Sequence, residues 1–214
     1  DAERARTIAA DGHGLRTPIT SMSIRAEMLD DDTREAMVKT LEEMRVMADG
    51  LLAYGRSEAD AEPAATLDLA ALLRELCDPP GGAVAYRGPA AFPFEGRPVA
   101  LSRAFANIVG NARRYAGSAT VTLASDREGV TVTIADDGPG IPEDKLDAVF
   151  EPFMRLDPSR SSETGGEGLG LAIARSLIRA HGGTIMLANR DDAPGLLATV
   201  RLPASRVSPP PPRR

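Results

Sequence analysis

Cysteine is nearly missing from this chain of 214 residues. Cys77 stands alone, so no disulfide can form within the chain and a reducing compartment is expected. Lysine is almost as scarce, with Lys39 and Lys145 the only two. Positive charge is in deficit overall: 25 Lys and Arg against 31 Asp and Glu leave a net charge of −6. No basic stripe is available to neutralise phosphates, which argues against a nucleic-acid partner. No run of about 18 apolar residues occurs, so nothing here reads as a membrane span. There is no secretory signal and no internal repeat. The chain starts at Asp1, without methionine, on a stretch that already reads as helix. It is read as a soluble fragment whose upstream part is missing.

What is present is enough for a real core, at 43% hydrophobic and 26% charged residues. Along the first thirty residues the apolar positions form a seam: Ala5, Ile8, Gly12, Leu15, Ile19, Met22, Ala26 and Leu29. The steps alternate three and four, the heptad rule for bundled helices. After a turn at Asp30-Asp31-Asp32, with Thr33 as candidate cap, Met37, Leu41, Met44, Ala48 and Leu51 repeat the seam. Two such helices make an antiparallel hairpin. One hairpin cannot bury both seams, so residues 1–58 are expected to dimerise as a four-helix bundle.

Residues 59–66 are small, acidic and broken by Pro63, and read as a linker. Residues 67–204 follow as a second domain. Helix is expected at 67–77, 99–115 and 169–180. Strands are expected near 84–86, 119–124, 130–135, 184–188 and 196–202, with a long loop at 136–168. This is an α+β layout, helices against an antiparallel-rich sheet. The tail, residues 205–214 with its four consecutive prolines, reads as disordered.

The first helix carries Gly12-His13-Gly14-Leu15-Arg16-Thr17-Pro18-Ile19-Thr20. His13 lies beside the seam, so its ring should face solvent. A neutral imidazole suits nucleophilic attack. Pro18 lacks an N–H and crowds the carbonyl of Gly14, so the helix should kink just after His13. An exposed histidine beside a kink is the plain alternative.

Four stretches of the second domain could build one nucleotide site. Asn107 and Asn111 share a helix face, and two neutral amides can serve Mg²⁺ and phosphate without adding charge. Arg114 can pair with phosphate and Tyr115 can lie against a base. Asp136-Asp137-Gly138-Pro139-Gly140 follows a strand; a carboxylate there can accept from an adenine amino group. In Phe150-Glu151-Pro152-Phe153-Met154-Arg155, both aromatics can anchor a mobile loop while Arg155 and Arg160 reach phosphate. Gly165-Gly166-Glu167-Gly168-Leu169-Gly170-Leu171 leads into a helix, whose free N–H groups make an anion site. Taken singly, these also read as a polar helix surface, a turn, satellite packing and a flexible linker. The last matches neither Rossmann nor P-loop spacing. His181 reads as a helix-end residue.

HGLRTPIT resembles the H-box of the HisKA family of sensor histidine kinases, usually H-[DE]-L-R-T-P-L. The resemblance implies that His13 is phosphorylated from ATP and passes the phosphoryl group to an aspartate on a response regulator. It also implies that Thr17 orients water when the regulator is dephosphorylated. The four later stretches, in order, resemble the N, G1, F and G2 boxes of the GHKL ATPases shared by gyrase, a heat-shock chaperone and histidine kinases. That implies a two-layer Bergerat-type sandwich holding ATP and Mg²⁺. By that matching Asn107 and Asn111 lie in the N-box with Asn111 the Mg²⁺ ligand. Asp136 is the adenine contact, and a lid runs from Ile141 to Gly168. Arg114, Tyr115, Gly138, Gly140, Phe150, Phe153, Arg155, Arg160, Gly166, Leu169, Gly170 and Leu171 complete the expected nucleotide set.

Partners implied are a second copy through the hairpin and a receiver domain docking near Ser21, Ile24 and Arg25. A membrane is involved only through the missing upstream segment, placing the core at the cytoplasmic side of the bacterial inner membrane. Hydrolytic relatives carry glutamate where Asn107 stands, which disfavours a gyrase-type ATPase. The family also has an acid directly after the histidine, and this chain has Gly14. Autophosphorylation is therefore expected to be weakened. The alternative is a kinase-impaired phosphatase or a nucleotide-binding dimeric scaffold.

Overall fold

The computed structural model describes residues 18, 20–22, 24–26, 33–34, 37–38, 40–41, 62–77, 84–156 and 168–204. The chain divides into two compact units, Asp1–Ala61 and Glu62–Arg214.

In the first unit the described residues are all helical. Ala26 and Leu41, one from each seam, bury together. Met22 and Met37, also seam positions, remain exposed, as does the off-seam Ile24. Thr33 is itself helical, so the second helix begins at or before it and Thr33 is not the non-helical cap expected. His13, Gly14 and Thr17 lie outside the described residues.

The second unit begins with a switch the sequence reading missed. Strand β1 (Ala65–Asp68) precedes helix α1 (Leu69–Cys77). Helix was expected from Leu67, and Ala65 and Thr66 were assigned to the linker. Instead, Ala65 and Thr66 pair with Gly96 and Glu95 of strand β3 (Pro93–Gly96). Asp68 ends the strand and starts the helix. Its Oδ1 accepts the N–H of Ala71 at 3.1 Å, the reach of an N-cap to the third helical residue. The same oxygen accepts from Phe92 N–H at 2.9 Å. That donor, ahead of the others, holds the Asp68 carboxyl below its usual range.

Strand β2 (Val84–Arg87) lies before β3, and helix α2 (Pro98–Tyr115) after it. Strands β4 (Ala119–Ser125) and β5 (Gly129–Asp136) form a hairpin whose register pairs Thr122 with Thr133. Their alternation of valine with threonine is the period-two pattern of a sheet with one buried face. Short 3₁₀ turns at Glu143–Lys145 and Ala148–Phe150 interrupt the long loop. Helix α3 (Gly170–Ala180) and strands β6 (Thr184–Asn189) and β7 (Leu196–Pro203) complete the unit.

The main sheet has the order β2-β4-β5-β7-β6, antiparallel except for β2 against β4. The helices pack on its buried face. Leu101, Phe105 and Val109 from α2, Ile178 from α3, and Leu69 and Leu73 from α1 meet Val121, Val132, Ile134 and Val200 from the strands, all completely or almost completely buried. Each such side chain contributes on the order of 1.5–3 kcal/mol by leaving water. The result is a two-layer α+β sandwich. It places the end of β5, the last turns of α2 and the start of α3 close together.

Helix α2 carries Pro98 at its first position, where the missing N–H costs nothing. Arg97 supplies no side-chain cap. Glu62 does so from far upstream: Oε1 accepts Val99 N–H and Oε2 accepts Ala100 N–H, both at 3.0 Å. A carboxylate suits this end of the helix dipole.

Candidate functional site

Asp136 terminates β5 and is 8% exposed, the one buried charged residue among those described. Its Oδ1 accepts the backbone N–H of Gly138 at 2.9 Å and of Leu196 at 3.0 Å. The carboxylate is thereby held in orientation through Oδ1, and Oδ2 has lone pairs that can accept a further donor. Gly138 packs against the end of α2: a Cβ there would approach Tyr115 O at 3.1 Å and the Ala116 Cβ at 3.2 Å.

The next residues are held from the far side of the sheet. Asn189, the last residue of β6, uses both amide atoms on Ile141. Its Oδ1 accepts Ile141 N–H at 2.8 Å and its Nδ2 donates to Ile141 O at 2.7 Å. Gly140, at φ +73°, has no room for a Cβ, which would lie 2.6 Å from Asn189 Oδ1. Arg190 donates from Nη1 to Asp136 O at 3.0 Å and to Asp137 Oδ1 at 2.6 Å, and from Nε and Nη2 to the two carboxylate oxygens of Asp192. The Ser118 hydroxyl donates to Asp137 Oδ2. That hydroxyl first, and then Arg190, hold the Asp137 carboxyl below its usual range.

Asn107 lies half-buried on the inner half of α2, and its Nδ2 is a buried donor without a partner among the described residues. Beside it is the start of α3. A Cβ on Gly170 would sit 3.7 Å from Asn107 Oδ1. Leu169, at the cap position of α3, supplies no side-chain cap, and the first N–H groups of a helix have no partner within it. Asn111 follows one turn along the same helix. An orphaned amide donor, an uncapped helix start and a one-sided carboxylate fit a nucleotide: anionic phosphates at one end and an amino-bearing base at the other. Two neutral amides on one helix face are also compatible with Mg²⁺ as an oxygen-seeking ion.

The aromatic pair behaves unequally. Phe150 is 2% exposed, and Arg175 of α3 lies over its ring at 4.7 Å while donating to its carbonyl and to Glu151 at 3.2 Å. Phe153, expected as a second anchor, is 44% exposed and stands at φ +67°. A left-handed backbone turns its side chain outward and stores strain. What Phe153 anchors is backbone: its N–H donates to Gly168 O at 3.0 Å, tying a point inside the expected lid to the lid's C-terminal end. Leu169 is buried at the cap position, so α3 starts at Gly170, not at Leu169 as expected. Leu171 lies in its first turn. Arg114 and Tyr115 are exposed on the last turn of α2, and Arg155 is half-buried. Arg160 and Gly166 fall outside the described residues. His181 caps the end of α3 as expected, with Nδ1 to Leu177 O at 2.7 Å and Nε2 accepting Arg97 N–H at 3.1 Å.

The family model described as Histidine kinase-, DNA gyrase B-, and HSP90-like ATPase matches residues 96–206. The chain belongs to this ATPase family. The match takes in α2, both ends of the lid and the β6–β7 hairpin, and therefore every side chain just placed around Asp136. Sensor histidine kinase GtrS of Pseudomonas aeruginosa is 38% identical over 204 residues, covering 94% of this chain and 42% of that protein. Sensor histidine kinase CpxA of Escherichia coli K12 is 33% identical over 222 residues, covering 95% and 48%. The chain thus spans about half the length of these relatives. Among solved structures, full-length ShkA in complex with AMPPNP superposes with a TM-score of 0.72 over 95% of this chain and 47% of its own, at 22% identity, a likeness of fold. A mycobacterial sensor histidine kinase, MprB, gives 0.57 over 67% and 99%, at 25% identity.

Within this ATPase family the sequence strings point to Asn107, Asp136 and the glycines. They do not point to Asn189, Arg190 or Arg175. The segment after β6 reads only as a turn, and nothing local marks Asn189 as a partner of Ile141.

Proposed function

We propose that the chain is the catalytic core of a sensor histidine kinase, transferring the γ-phosphoryl group of ATP to His13 and from there to an aspartate of a response regulator. The observation that carries the reading is the buried Asp136 carboxylate, held through one oxygen by Gly138 and Leu196, in the same domain as the unpartnered Asn107 amide beside the start of α3. Supporting it are relatives named as sensor histidine kinases that align with 94–95% of the chain, the first unit included.

In this reading Asp136 Oδ2 accepts from the adenine amino group. The open N–H groups of α3 and the Asn107 amide take the phosphates. Asn111, with Asn107 beside it, would hold Mg²⁺, which would draw off charge developing on the phosphate oxygens. The rest is positioning and charge neutralisation, the main needs of phosphoryl transfer. A nitrogen of the neutral His13 imidazole attacks the γ-phosphorus, the bond to the ADP oxygen breaks, and the proton leaves from the other ring nitrogen. Gly14 offers no base for that proton. Residues 1–58 form the dimerising hairpin, and residues 59–61 remain as linker that lets the ATP domain approach His13. Ser21, Ile24 and Arg25, all exposed, form the receiver-docking face. An upstream anchor places the core on the cytoplasmic side of the inner membrane.

Asp136→Asn tests the nucleotide half. It keeps an acceptor for Gly138 and Leu196 but turns a donor toward the adenine amino group. Loss of a charged hydrogen bond of about 1.5–3 kcal/mol lowers ATP affinity by roughly ten- to a hundredfold. Calorimetric titration with Mg²⁺ATP reads this directly, and unchanged affinity would remove Asp136 from the site. Gly14 favours a second reading, a phosphatase in which Thr17 positions water. Phosphate release from a phosphorylated receiver domain, lost on Thr17→Ala, is its signature.

A further inference from the structure

Two consecutive residues outside the motif strings, Asn189 and Arg190, grip the segment from Asp136 to Ile141 at its two ends. At the far end Asn189 gives Ile141 both halves of a strand-like pair, accepting its N–H at 2.8 Å and donating to its carbonyl at 2.7 Å. This is the exchange a neighbouring residue makes in an antiparallel ladder. It continues the sheet by side chain just where the β6–β7 ladder closes with Asn189 opposite Leu196. At the near end Arg190 ties Asp136 O and Asp137 Oδ1 together and is itself braced by Asp192. Between the two grips the backbone cannot shift easily. Gly140 already lies against Asn189, and a Cβ on Gly195 would sit 1.9 Å from Asp136 O.

We propose that Asn189 and Arg190 are positioning residues for base recognition, setting the adenine preference of the site by immobilising the Asp136 carboxylate. The inference rests on the adenine reading of Asp136 and deepens it. A fixed acceptor discriminates because adenine presents an amino group where guanine presents a carbonyl, and an acceptor facing a carbonyl is repelled. A carboxylate on a loose loop can swing aside or admit water, and the penalty against guanine then falls. Specificity of this kind resides in how rigidly the polar group is held.

The test titrates the full chain with Mg²⁺ATP and, separately, Mg²⁺GTP, comparing the native chain with Asn189→Ala and Arg190→Lys, with thermal unfolding of each alongside. Asn189→Ala removes both bonds to Ile141. Arg190→Lys keeps the charge but cannot span Asp136, Asp137 and Asp192 together. The proposal expects ATP affinity to fall about five- to twentyfold in each variant, from one or two hydrogen bonds of ordinary net worth. GTP affinity changes much less, so that the preference for ATP narrows, and unfolding temperature stays within a few degrees. Equal weakening of both nucleotides in step with a lower unfolding temperature would mean a general stabilising role and overturn it. So would native affinities and native preference in both variants. A native chain that binds no ATP would instead refute the nucleotide reading itself.

Discussion

Residues around Asp136 show how little freedom the nucleotide site has. A buried carboxylate is tolerated only when its oxygens are partnered. Here Oδ1 takes two backbone donors, and among the described residues no donor to Oδ2 is recorded. Gly195 is part of that arrangement. It stands at φ +135°, and its missing side chain is what lets the β6–β7 loop close over the Asp136 carbonyl. Gly195→Ala would force a methyl group into that carbonyl and a left-handed backbone onto alanine. A loss of about 2–4 kcal/mol in unfolding free energy is expected, read by chemical denaturation, with ATP binding weakened as well. A stability within about 0.5 kcal/mol of the native chain would contradict the close packing of Gly195 on the Asp136 carbonyl.

Elements were legible in proportion to the length of their pattern. The alternating strands β4, β5 and β7 and the 3–4 spacing of α2 stand out because their buried faces repeat several times. Strands β1 and β3 did not, since each has four residues and β3 begins on a proline and ends on a glycine. The site divides in the same way. Asp136, Asn107 and the glycines sit inside short strings. Asn189, Arg190, Arg175 and Glu62 act across 48, 53, 25 and 37 residues respectively, and only the folded sheet brings them to their partners. Glu62 is the test at this scale, because it caps α2, the helix that presents Asn107, from the first residue of the second unit. Glu62→Ala removes the acceptors for two N–H groups and a favourable charge at the helix start. About 1 kcal/mol is lost, lowering the unfolding temperature of this domain by roughly 2–4 °C. Calorimetric scanning checks this, and no shift would mean water caps the helix equally well.

The whole molecule combines an ATPase-family domain with an upstream unit whose described residues are helical, and the activity proposed requires both. Of the first unit, Ala26 and Leu41 are buried together, while Met22 and Met37 are exposed in the single chain. A second copy packed on that face would cover them. In the proposed reaction His13 is the nucleophile, and Gly14 beside it is the residue expected to weaken the phosphorylation. The most direct measurement is incubation with γ-labelled ATP and Mg²⁺, followed by acid and base treatment, for the native chain, His13→Ala and Gly14→Asp. Acid-labile, base-stable label is predicted that is weak in the native chain, absent in His13→Ala and raised about a hundredfold or more in Gly14→Asp, the lower end of what a positioned general base supplies. Label that persists in His13→Ala, or none in any of the three while ATP demonstrably binds, would contradict the proposed reaction.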